Sequence, residues 1–223
     1  MADTTKEVCL YSYNSKGSSD LKLKFMQDLI DLSGNKIPIF CIQEHFLLIN
    51  NLKKVSNYFS TSSVISKPAF KNFEVQNRGR PRGGLAIILP KYLRKSVKII
   101  DCKSWRIQNL EIDLNEEKYL VINSYFPNDK RGIGDDCDEL EDCLAQISSI
   151  IQTHLCNQYF LLGDLNGEFL RNSSHVNCIK MFLVRHQMFS AWEDFSIDFS
   201  YSFESGENKW NLSCENSGTY YYS

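Results

Sequence analysis

Short apolar runs of strand length alternate with polar segments along most of the chain. Several of these runs are apolar on both faces, which is typical of sheets that are covered on both sides. Six runs predict β-strands: VCLYSY at 8–13, KIPIFCIQ at 36–43, GLAIILP at 84–90, NLEIDL at 109–114, KYLVINSYF at 118–126 and QYFLLG at 158–163. The core is therefore expected to be built around β-sheet.

Segments between the strands have apolar residues at helical spacing. They predict helices over 18–34, from about 135 to 154 and from about 176 to 189. The first helix begins at Ser/Asp cap candidates, ends at Gly34, and is expected to face the core through Leu21, Phe25, Leu29 and Leu32. Paired strands interrupted by a few helices predict a four-layer α/β sandwich, in which two packed mixed sheets are flanked by helices.

Composition sets the outer limits of this interpretation. With 223 residues and 43% hydrophobic content, the chain can bury a full core, and we expect a single domain over 1–223. No run has signal-peptide character or the roughly 20 apolar residues of a membrane span, so we expect an intracellular, nuclear or cytoplasmic protein that is not secreted. The eight cysteines show no C-x-x-C spacing, which indicates neither zinc nor a disulfide framework.

The net charge is −2, but basic and acidic residues are unevenly placed along the chain. Nine Lys or Arg residues and one acid, Glu74, lie between positions 67 and 98, whereas the run DDCDELED at 135–142 carries six acids. The basic segment is able to contact a polyanion while the acidic run repels it. Two ordinary solvated surfaces would give the same pattern, and both interpretations stay open at this point.

Polar residues follow four of the predicted strands. Asp164 and Asn166 come directly after a buried run, on the same side of the strand and between two glycines, and Asn14, Glu44 and Tyr125 stand at three other strand ends. Each has a plain alternative, namely a turn, a helix cap or a half-buried aromatic residue. Their joint occurrence at strand ends favours a site for a phosphate or a hydrated cation.

The order and spacing of these residues resemble those of the endonuclease/exonuclease/phosphatase superfamily. The resemblance extends from about residue 7 to the end and rests on Asn14, Gln43-Glu44, R-G-G-L-A-I at 82–87, N-S-Y-x-P at 123–127 and G-D-L-N at 163–166. Within the superfamily, the stretch G-R-P-R-G-G-L-A-I is most similar to the apurinic-endonuclease-like domain of LINE-type, non-LTR retrotransposons. It is less similar to inositol phosphatases, sphingomyelinases and deadenylases.

The resemblance implies a Mg²⁺-dependent (or Mn²⁺-dependent) phosphodiester hydrolase that nicks DNA. Glu44 would bind the metal with Asn14 nearby, and Asp164 would orient or deprotonate the attacking water. Asn166 would hold a phosphate oxygen, and Tyr125 would donate its hydroxyl to the scissile phosphate. The basic segment would follow the DNA backbone, with Arg78, Arg80 and Arg82 as its contacts.

Near the C-terminal end, the match to the superfamily is incomplete. Tyr201-Ser202-Phe203 matches a Y-[TS]-[WF] strand, in which Ser202 would contact phosphate, but the later S-D-H triplet has no counterpart. We therefore expect a domain that lacks its terminal catalytic strand and is weak or inactive. We also expect a monomer that is able to associate through an exposed sheet edge, partly covered by Tyr220, Tyr221 and Tyr222.

Two other functions fit the same residues. The chain would then be a non-catalytic remnant of the fold that binds nucleic acid or a protein, or a phosphatase of small phosphoesters. Of the four histidines, His175 is predicted in the loop after Asp164 and is the one closest to the proposed site. His45, the neighbour of Glu44, is expected to face away from it.

Overall fold

The computed structural model of the protein describes residues 7–70, 81–114, 116–129, 137–167, 169, 172–190 and 219–222. Within them, the helices are α1 (Asp20–Leu32), α2 (Lys53–Tyr58), α3 (Asp138–Thr153) and α4 (Ser174–Arg185), with short 3-10 helices at Ile49–Asn51 and Lys91–Ser96. The strands are β1 (Val8–Asn14), β2 (Ile37–Gln43), β3 (Ser62–Lys67), β4 (Leu85–Pro90), β5 (Val97–Ile100), β6 (Ile107–Leu114), β7 (Glu117–Tyr125), β8 (Gln158–Asp164), β9 (Phe189–Ser190) and β10 (Thr219–Tyr222).

The described strands form two mixed sheets. The first has the order β1-β2-β4-β3, and the second has the order β5-β6-β7-β8-β10-β9. In the first sheet β1 runs parallel to β2, and in the second β7 runs parallel to β8, whereas the remaining neighbours are antiparallel. Because parallel neighbours end at the same edge of a sheet, each sheet presents two C-terminal strand ends side by side.

Three apolar clusters of described residues fill the spaces between the layers of the molecule. The middle cluster lies between the sheets and joins residues such as Ile39 and Ile87 to Leu110 and Val121. A second cluster packs α1 and α2 on the first sheet, and a third packs α3 and α4 on the second sheet. Alternate residues along a strand therefore enter different clusters, as the pleat requires. The predicted four-layer α/β sandwich is confirmed.

The six predicted strands are all present, but the pattern missed others. Two of the missed strands, β3 and β5, lie at outer edges of their sheets. The β3 sequence SSVISK is mostly polar or small, and β5 consists of the four residues VKII. An edge strand with partly solvated faces needs no continuous apolar run, so hydrophobic patterning gave no signal for either strand.

The buried face of α1 differs from the prediction. Leu29 is buried as expected, but Leu21 and Leu32 are 79% and 70% exposed, and the helix packs through Leu23 and Met26 instead. The helix carries two overlapping apolar stripes at helical spacing, and both include Leu29. Packing against Phe40 and Ile42 of the sheet selects the stripe, so the helix sequence alone does not decide it.

Strand β10 covers part of the sheet edge that was expected to be exposed. β10 pairs antiparallel with β8, from Thr219 opposite Gly163 to Tyr222 opposite Phe160, and its other side pairs with β9. The backbone of 220–222 thus occupies the expected place.

Among the described residues, no helix has both the length and the apolar content that a membrane crossing requires.

Candidate active site

Four strand ends from both sheets meet at one edge of the sandwich. In the first sheet, Asn14 at the end of β1 stands beside Gln43 at the end of β2, and in the second sheet Tyr125 of β7 stands beside Asp164 of β8. The Asn14 Nδ2 amide donates a hydrogen bond of 2.6 Å to Asp164 Oδ2 across the gap between the sheets. Residues 150 positions apart in the chain therefore form one polar cluster.

Glu44, the residue directly after β2, belongs to the same cluster. The Glu44 carboxylate lies close enough to the Tyr125 hydroxyl to interact with it. Burial first, then the interaction with Glu44 and the negative charge of Asp164, raise the pKa of the Tyr125 hydroxyl. The phenol consequently keeps its proton near neutral pH and acts as a hydrogen-bond donor.

Residues 164–166, which we call the Asp164 turn, hold their shape largely through local bonds. The Asn166 backbone N–H donates to Asp164 Oδ1 at 3.0 Å, and the Asn166 Nδ2 amide donates to the Phe126 carbonyl at 2.7 Å. Asn166 has a φ of 49°, which asparagine tolerates better than most residues. Together with the bond from Asn14, both Asp164 oxygens are fixed in place.

Gly163 allows β7 and β8 to approach closely just before this turn. Its φ is 142°, and a Cβ atom built on it would lie 1.9 Å from the backbone carbonyl oxygen of Ser124. Any other residue would therefore clash with a backbone atom of the neighbouring strand. The glycine of the G-D-L-N motif is thus required by the packing that places Asp164.

Residues 44–46, which we call the Glu44 turn, are held by distant parts of the chain. Glu44 and Phe46 have φ values of 55° and 57°, a conformation that costs roughly 1–2 kcal/mol for a residue with a side chain. The backbone N–H groups of His45 and Phe46 donate to the carbonyls of Gly84 and Gly83 at 3.3 and 3.1 Å. The loop before β4 therefore stabilises the strained backbone.

The buried His45 side chain fixes the Glu44 turn from inside. Its Nδ1 accepts from the Leu47 backbone N–H at 3.0 Å, so Nε2 carries the proton and donates to the carbonyls of Lys67 and Leu85 at 3.1 and 3.2 Å. A Cβ on Gly84 would lie 2.5 Å from the imidazole. His45 is buried in the fold, but β2 ends at Gln43, so the strand alternation on which its predicted direction rested does not reach it.

Two buried amides join the sheets beneath the polar cluster. The Gln43 Nε2 amide donates to Asn123 Oδ1 at 2.7 Å, and the Asn123 Nδ2 amide donates to the carbonyls of Ile42 and Ala86 at 3.1 and 3.2 Å. Both side chains are almost completely buried. The motif glutamine and asparagine therefore fix the position of one sheet relative to the other, a role that the sequence motifs did not indicate.

Comparison with solved structures identifies this arrangement of layers and strand ends. The AP endonuclease LMAP from Leishmania major is similar with a TM-score of 0.64 and 11% identity, over 96% of this chain and 78% of that chain. The human Nocturnin catalytic domain with bound sulfate is similar with a TM-score of 0.59 and 14% identity, over 95% of this chain and 79% of that chain. The chain has the endonuclease/exonuclease/phosphatase fold.

Caenorhabditis elegans TDP2 has the same endonuclease/exonuclease/phosphatase fold, with a TM-score of 0.56 and 16% identity over 95% of this chain. The chain spans 63% of the length of that TDP2 chain, and 66% of a second TDP2 structure from the same organism. No protein-family model and no curated protein matches the sequence. The similarity is therefore one of fold.

The other histidines lie away from the open side of the cluster. His154 pairs with Glu111 at 3.0 Å and lowers the pKa of that carboxylate, and His186 bonds Ser148. His175 lies in the first turn of α4, not in the loop that the sequence predicted, and its Nε2 contacts the Leu165 carbonyl at 3.3 Å. It supports the Asp164 turn from the side of the helical layer.

In the described part of the basic segment, 67–70 and 81–98, the basic side chains lie in separate places. The Lys67 ammonium is half-buried and donates to the carbonyls of Cys102, Ser104 and Ile107, and burial lowers its pKa. Arg82 is exposed next to the Glu44 turn, whereas the 3-10 helix Lys91–Ser96 follows the opposite end of β4. Three predicted contacts, namely Arg78, Arg80 and Ser202, lie outside the described residues.

Arg106 and Trp105, which no motif indicated, lie beside Tyr125. The Arg106 guanidinium donates to the Tyr125 carbonyl at 3.2 Å, pairs with Glu139 at 2.7 Å, and stacks over the Trp105 ring at 4.1 Å. Its carbon Cζ is also 5.3 Å from the centre of the Tyr125 ring. A fixed positive charge thus stands at the edge of the polar cluster.

The donor set of the cluster suits a hard divalent cation. Glu44 offers a carboxylate and Asn14 an amide oxygen, and oxygen ligands of this kind suit Mg²⁺, which keeps several of its own waters. The part of the chain that the structure describes contains no group of three or more His, Cys, Asp or Glu side chains able to hold a metal. Glu44 and Asn14 are therefore compatible with a weak, largely hydrated site.

Proposed function

We propose that this chain is a divalent-metal-dependent phosphodiester hydrolase that acts on DNA. The observation that carries the proposal is the hydrogen bond between the sheets from Asn14 to Asp164, together with the interaction of Tyr125 with Glu44 beside it. Each pair joins residues from different sheets, so the polar cluster exists only in the folded chain. A purely structural turn at each strand end would not need such convergence.

Each residue of the cluster has a specific role in this proposal. Tyr125 keeps its proton and donates to an oxygen of the scissile phosphate, where negative charge develops in the transition state. Asp164, held by Asn14 and by the Asn166 backbone, orients the attacking water and accepts its proton. The Asn166 amide has a second N–H that is able to hold another phosphate oxygen.

Glu44 and Asn14 would hold the metal ion in this proposal. Mg²⁺ or Mn²⁺ would supply Lewis-acid stabilisation of phosphoryl oxygens. Glu44 also interacts with the Tyr125 hydroxyl, so the metal-binding carboxylate and the phosphate-binding phenol would lie side by side. Arg106, which lies beside Tyr125, adds a permanent positive charge that favours a polyanionic substrate.

DNA is the substrate that the residues and the neighbours support best. The exposed Arg82 lies next to the Glu44 turn, and one of the similar solved structures is described as an AP endonuclease. The R-G-G-L-A-I stretch at 82–87 further supports a retrotransposon-type DNA endonuclease over a phosphatase of small phosphoesters. Arg78 and Arg80 belong to the same proposed DNA contact.

The test is nicking of supercoiled plasmid by the purified full chain with Mg²⁺. Glu44→Gln and Tyr125→Phe should each lower the nicking rate by about 10²–10³-fold, because each removes one group that stabilises the transition state. Glu117→Gln is the matched control, since Glu117 lies at the opposite end of β7 and should leave the rate unchanged. A rate that Glu44→Gln does not alter would reject the proposed site.

Two other outcomes would indicate the alternative functions. Plasmid binding without nicking, unaffected by Glu44→Gln, would indicate a non-catalytic binding module. Phosphate release from small phosphoesters such as inositol phosphates, with no nicking, would indicate a phosphatase.

Metal binding has a separate test that does not need turnover. Titration with Mn²⁺ should broaden the NMR signals of residues around Glu44 and Asn14, with weak affinity because one carboxylate makes no complete cage. Glu44→Gln should remove this broadening, whereas Glu117→Gln should retain it. Broadening that is identical in the Glu44 variant would place the metal elsewhere.

A further inference from the structure

Two stacked aromatic rings lead from the surface of the protein to Tyr125. The Phe70 and Trp105 rings are nearly parallel, with an interplanar angle of 17° and centroids 5.8 Å apart. The Trp105 centroid is in turn 6.3 Å from that of Tyr125. Phe70 is 47% exposed, so one end of this series of rings is open to solvent beside the candidate active site.

The backbone that carries Phe70 is firmly held, and the Trp105 ring packs on a glycine. Phe70 and Arg82 exchange two backbone hydrogen bonds of 2.9 Å, and the preceding residue, Ala69, donates to the Leu47 carbonyl at 2.8 Å. A Cβ on Gly83 would lie 2.3 Å from the Trp105 ring, so only glycine lets the ring pack at this place. The aromatic rings are therefore positioned before any ligand arrives.

Charge around the rings indicates the kind of ligand. The Arg106 guanidinium stacks over Trp105, and Arg82 is exposed next to Phe70 in the antiparallel bridge. An exposed ring that stacks on an arginine-bearing tryptophan, with an exposed arginine as its bridge partner and Tyr125 beyond the tryptophan, matches a ligand with a flat π face and a phosphate backbone. A nucleotide within a nucleic-acid strand has both features.

We propose that Phe70, supported by Trp105, is a stacking site for an unpaired base near the phosphate that the enzyme cuts. This inference rests on the proposed function and adds a substrate class to it, namely strands in which a base beside the scissile phosphate is unpaired or displaced. A base within a continuous duplex is already stacked on its neighbours and cannot offer its face to Phe70. The site therefore favours single-stranded or locally opened substrate over perfect duplex.

The experiment compares two single-stranded oligomers of equal length and charge, oligothymidylate and an oligomer of abasic residues. Binding of both to the full chain is measured in the presence of a chelator, so that no strand is cut. Phe70→Ala should weaken oligothymidylate binding by about 5- to 100-fold, which is the effect expected when one base–aromatic stack is lost. Binding of the abasic oligomer should stay unchanged, because it has no base to stack.

Two further variants serve as controls for the loss of the Phe70 ring. Phe70→Tyr retains the ring and should bind oligothymidylate as the natural protein does. Phe189→Ala removes another exposed phenylalanine, 58% exposed in β9 at the edge of the second sheet, and should change neither affinity.

An equal loss of both affinities in Phe70→Ala, or no loss of either, would overturn the stacking site while leaving the proposed DNA hydrolase intact. If the natural protein bound neither oligomer, both the stacking site and the proposed nucleic-acid substrate would be rejected. In cleavage assays with Mg²⁺, Phe70→Ala should lose the preference for a strand with an unpaired nucleotide over perfect duplex, and a preference that it kept would overturn the stacking site.

Discussion

The Glu44 turn and the Asp164 turn occupy equivalent places at the ends of two strands, yet they are stabilised in different ways. The backbone of the Asp164 turn depends mainly on its own side chains, on the adjacent strand β7 and on the residue that follows that strand, with further contacts from Asn14 and His175. The Glu44 turn depends on the buried His45 and on the loop before β4, about 40 residues further along the chain.

This difference suggests a division of roles between the two sheets. The bond from the Asn166 backbone N–H within the turn fixes one oxygen of Asp164, and Asn14 of the first sheet fixes the other. The strained backbone at Glu44 persists only while the first sheet is fully assembled, because distant carbonyl groups hold it. The proposed metal site should therefore be more sensitive to distant substitutions than the proposed water-orienting carboxylate.

The sharpest test of this contrast replaces one glycine at each turn. Gly163→Ala places a Cβ 1.9 Å from a backbone oxygen, whereas Gly84→Ala places it 2.5 Å from the His45 ring, which is able to shift. We expect Gly163→Ala to lower the free energy of unfolding by more than about 3 kcal/mol, and Gly84→Ala to lower it by less. Chemical denaturation of the purified variants measures both values.

Gly34→Ala is the control for backbone conformation alone. Gly34 has a φ of 58° with no atom near the position of a Cβ, so its replacement should cost only about 1 kcal/mol. If Gly163→Ala cost no more than Gly34→Ala, the close approach of β7 and β8 would not matter for stability.

The same contrast explains which parts of the site were predictable. The G-D-L-N motif indicated the Asp164 turn because its glycine allows the close approach to β7 and its aspartate and asparagine form the bond within the turn. The sequence also placed Glu44 at a strand end. It did not indicate the positive φ of Glu44, because that conformation depends on the pairing of β2 with β4.

Elements whose position depends on tertiary packing were missed for the same reason. The α1 sequence has two apolar stripes, and only Phe40 and Ile42 of the sheet decide between them. Trp105 and Arg106 lie in a loop without a motif, and only the fold brings them to Tyr125. The strong central strands, in contrast, are buried on both faces and were readable as apolar runs.

A second test replaces the histidine behind each turn. His45→Ala removes a buried ring that serves three backbone groups, and we expect a loss of about 3 kcal/mol in the free energy of unfolding. His175→Ala removes one long bond to Leu165 and should cost about 1–2 kcal/mol. Only His45→Ala should also weaken Mn²⁺ binding at Glu44.

Denaturation curves and Mn²⁺ titrations of the two variants provide the comparison. Equal stability losses, or a loss of Mn²⁺ affinity in His175→Ala, would show that the two turns are not supported differently. His154→Ala is a suitable control for Mn²⁺ binding, because His154 pairs with Glu111 and contacts neither turn.

A third, smaller effect concerns the local character of the Asp164 turn. Asn166→Ala loses the bond to the Phe126 carbonyl and places alanine at a φ of 49°, whereas Asn166→Gly loses only the bond and suits this φ. The alanine variant should therefore be less stable than the glycine variant by about 1 kcal/mol. If denaturation showed that Asn166→Gly is less stable than Asn166→Ala, the left-handed conformation of residue 166 would not explain why asparagine is favoured there.

The smallest expected effect concerns α4, the helix that follows the Asp164 turn. Burial, and then the charge of Arg185, lower the pKa of His186, whose ring bonds Ser148 of α3. In the unfolded chain this imidazole titrates near pH 6.5, so below that pH the unfolded state binds more protons than the folded state. The contribution of His186 to stability is thus complete above about pH 6.5 and is lost as the pH falls toward the lowered value.

Unfolding curves across this pH range should show a shallower pH dependence in His186→Gln, which cannot titrate, than in the natural protein. The difference between His186→Gln and the natural protein should arise where α3 and α4 pack. The Gln43–Asn123 bond beneath the Glu44 turn has no titrating group and should not contribute to it. Amide hydrogen exchange at low pH, compared between the natural protein and His186→Gln, locates the difference, because the pKa of His45 in the Glu44 turn, which burial also lowers, affects both proteins alike. The two proteins should differ most in α4 and the Asp164 turn and least in β2. A difference of equal size in both turns would mean that they open as one unit, and their separate support would then have no consequence for stability.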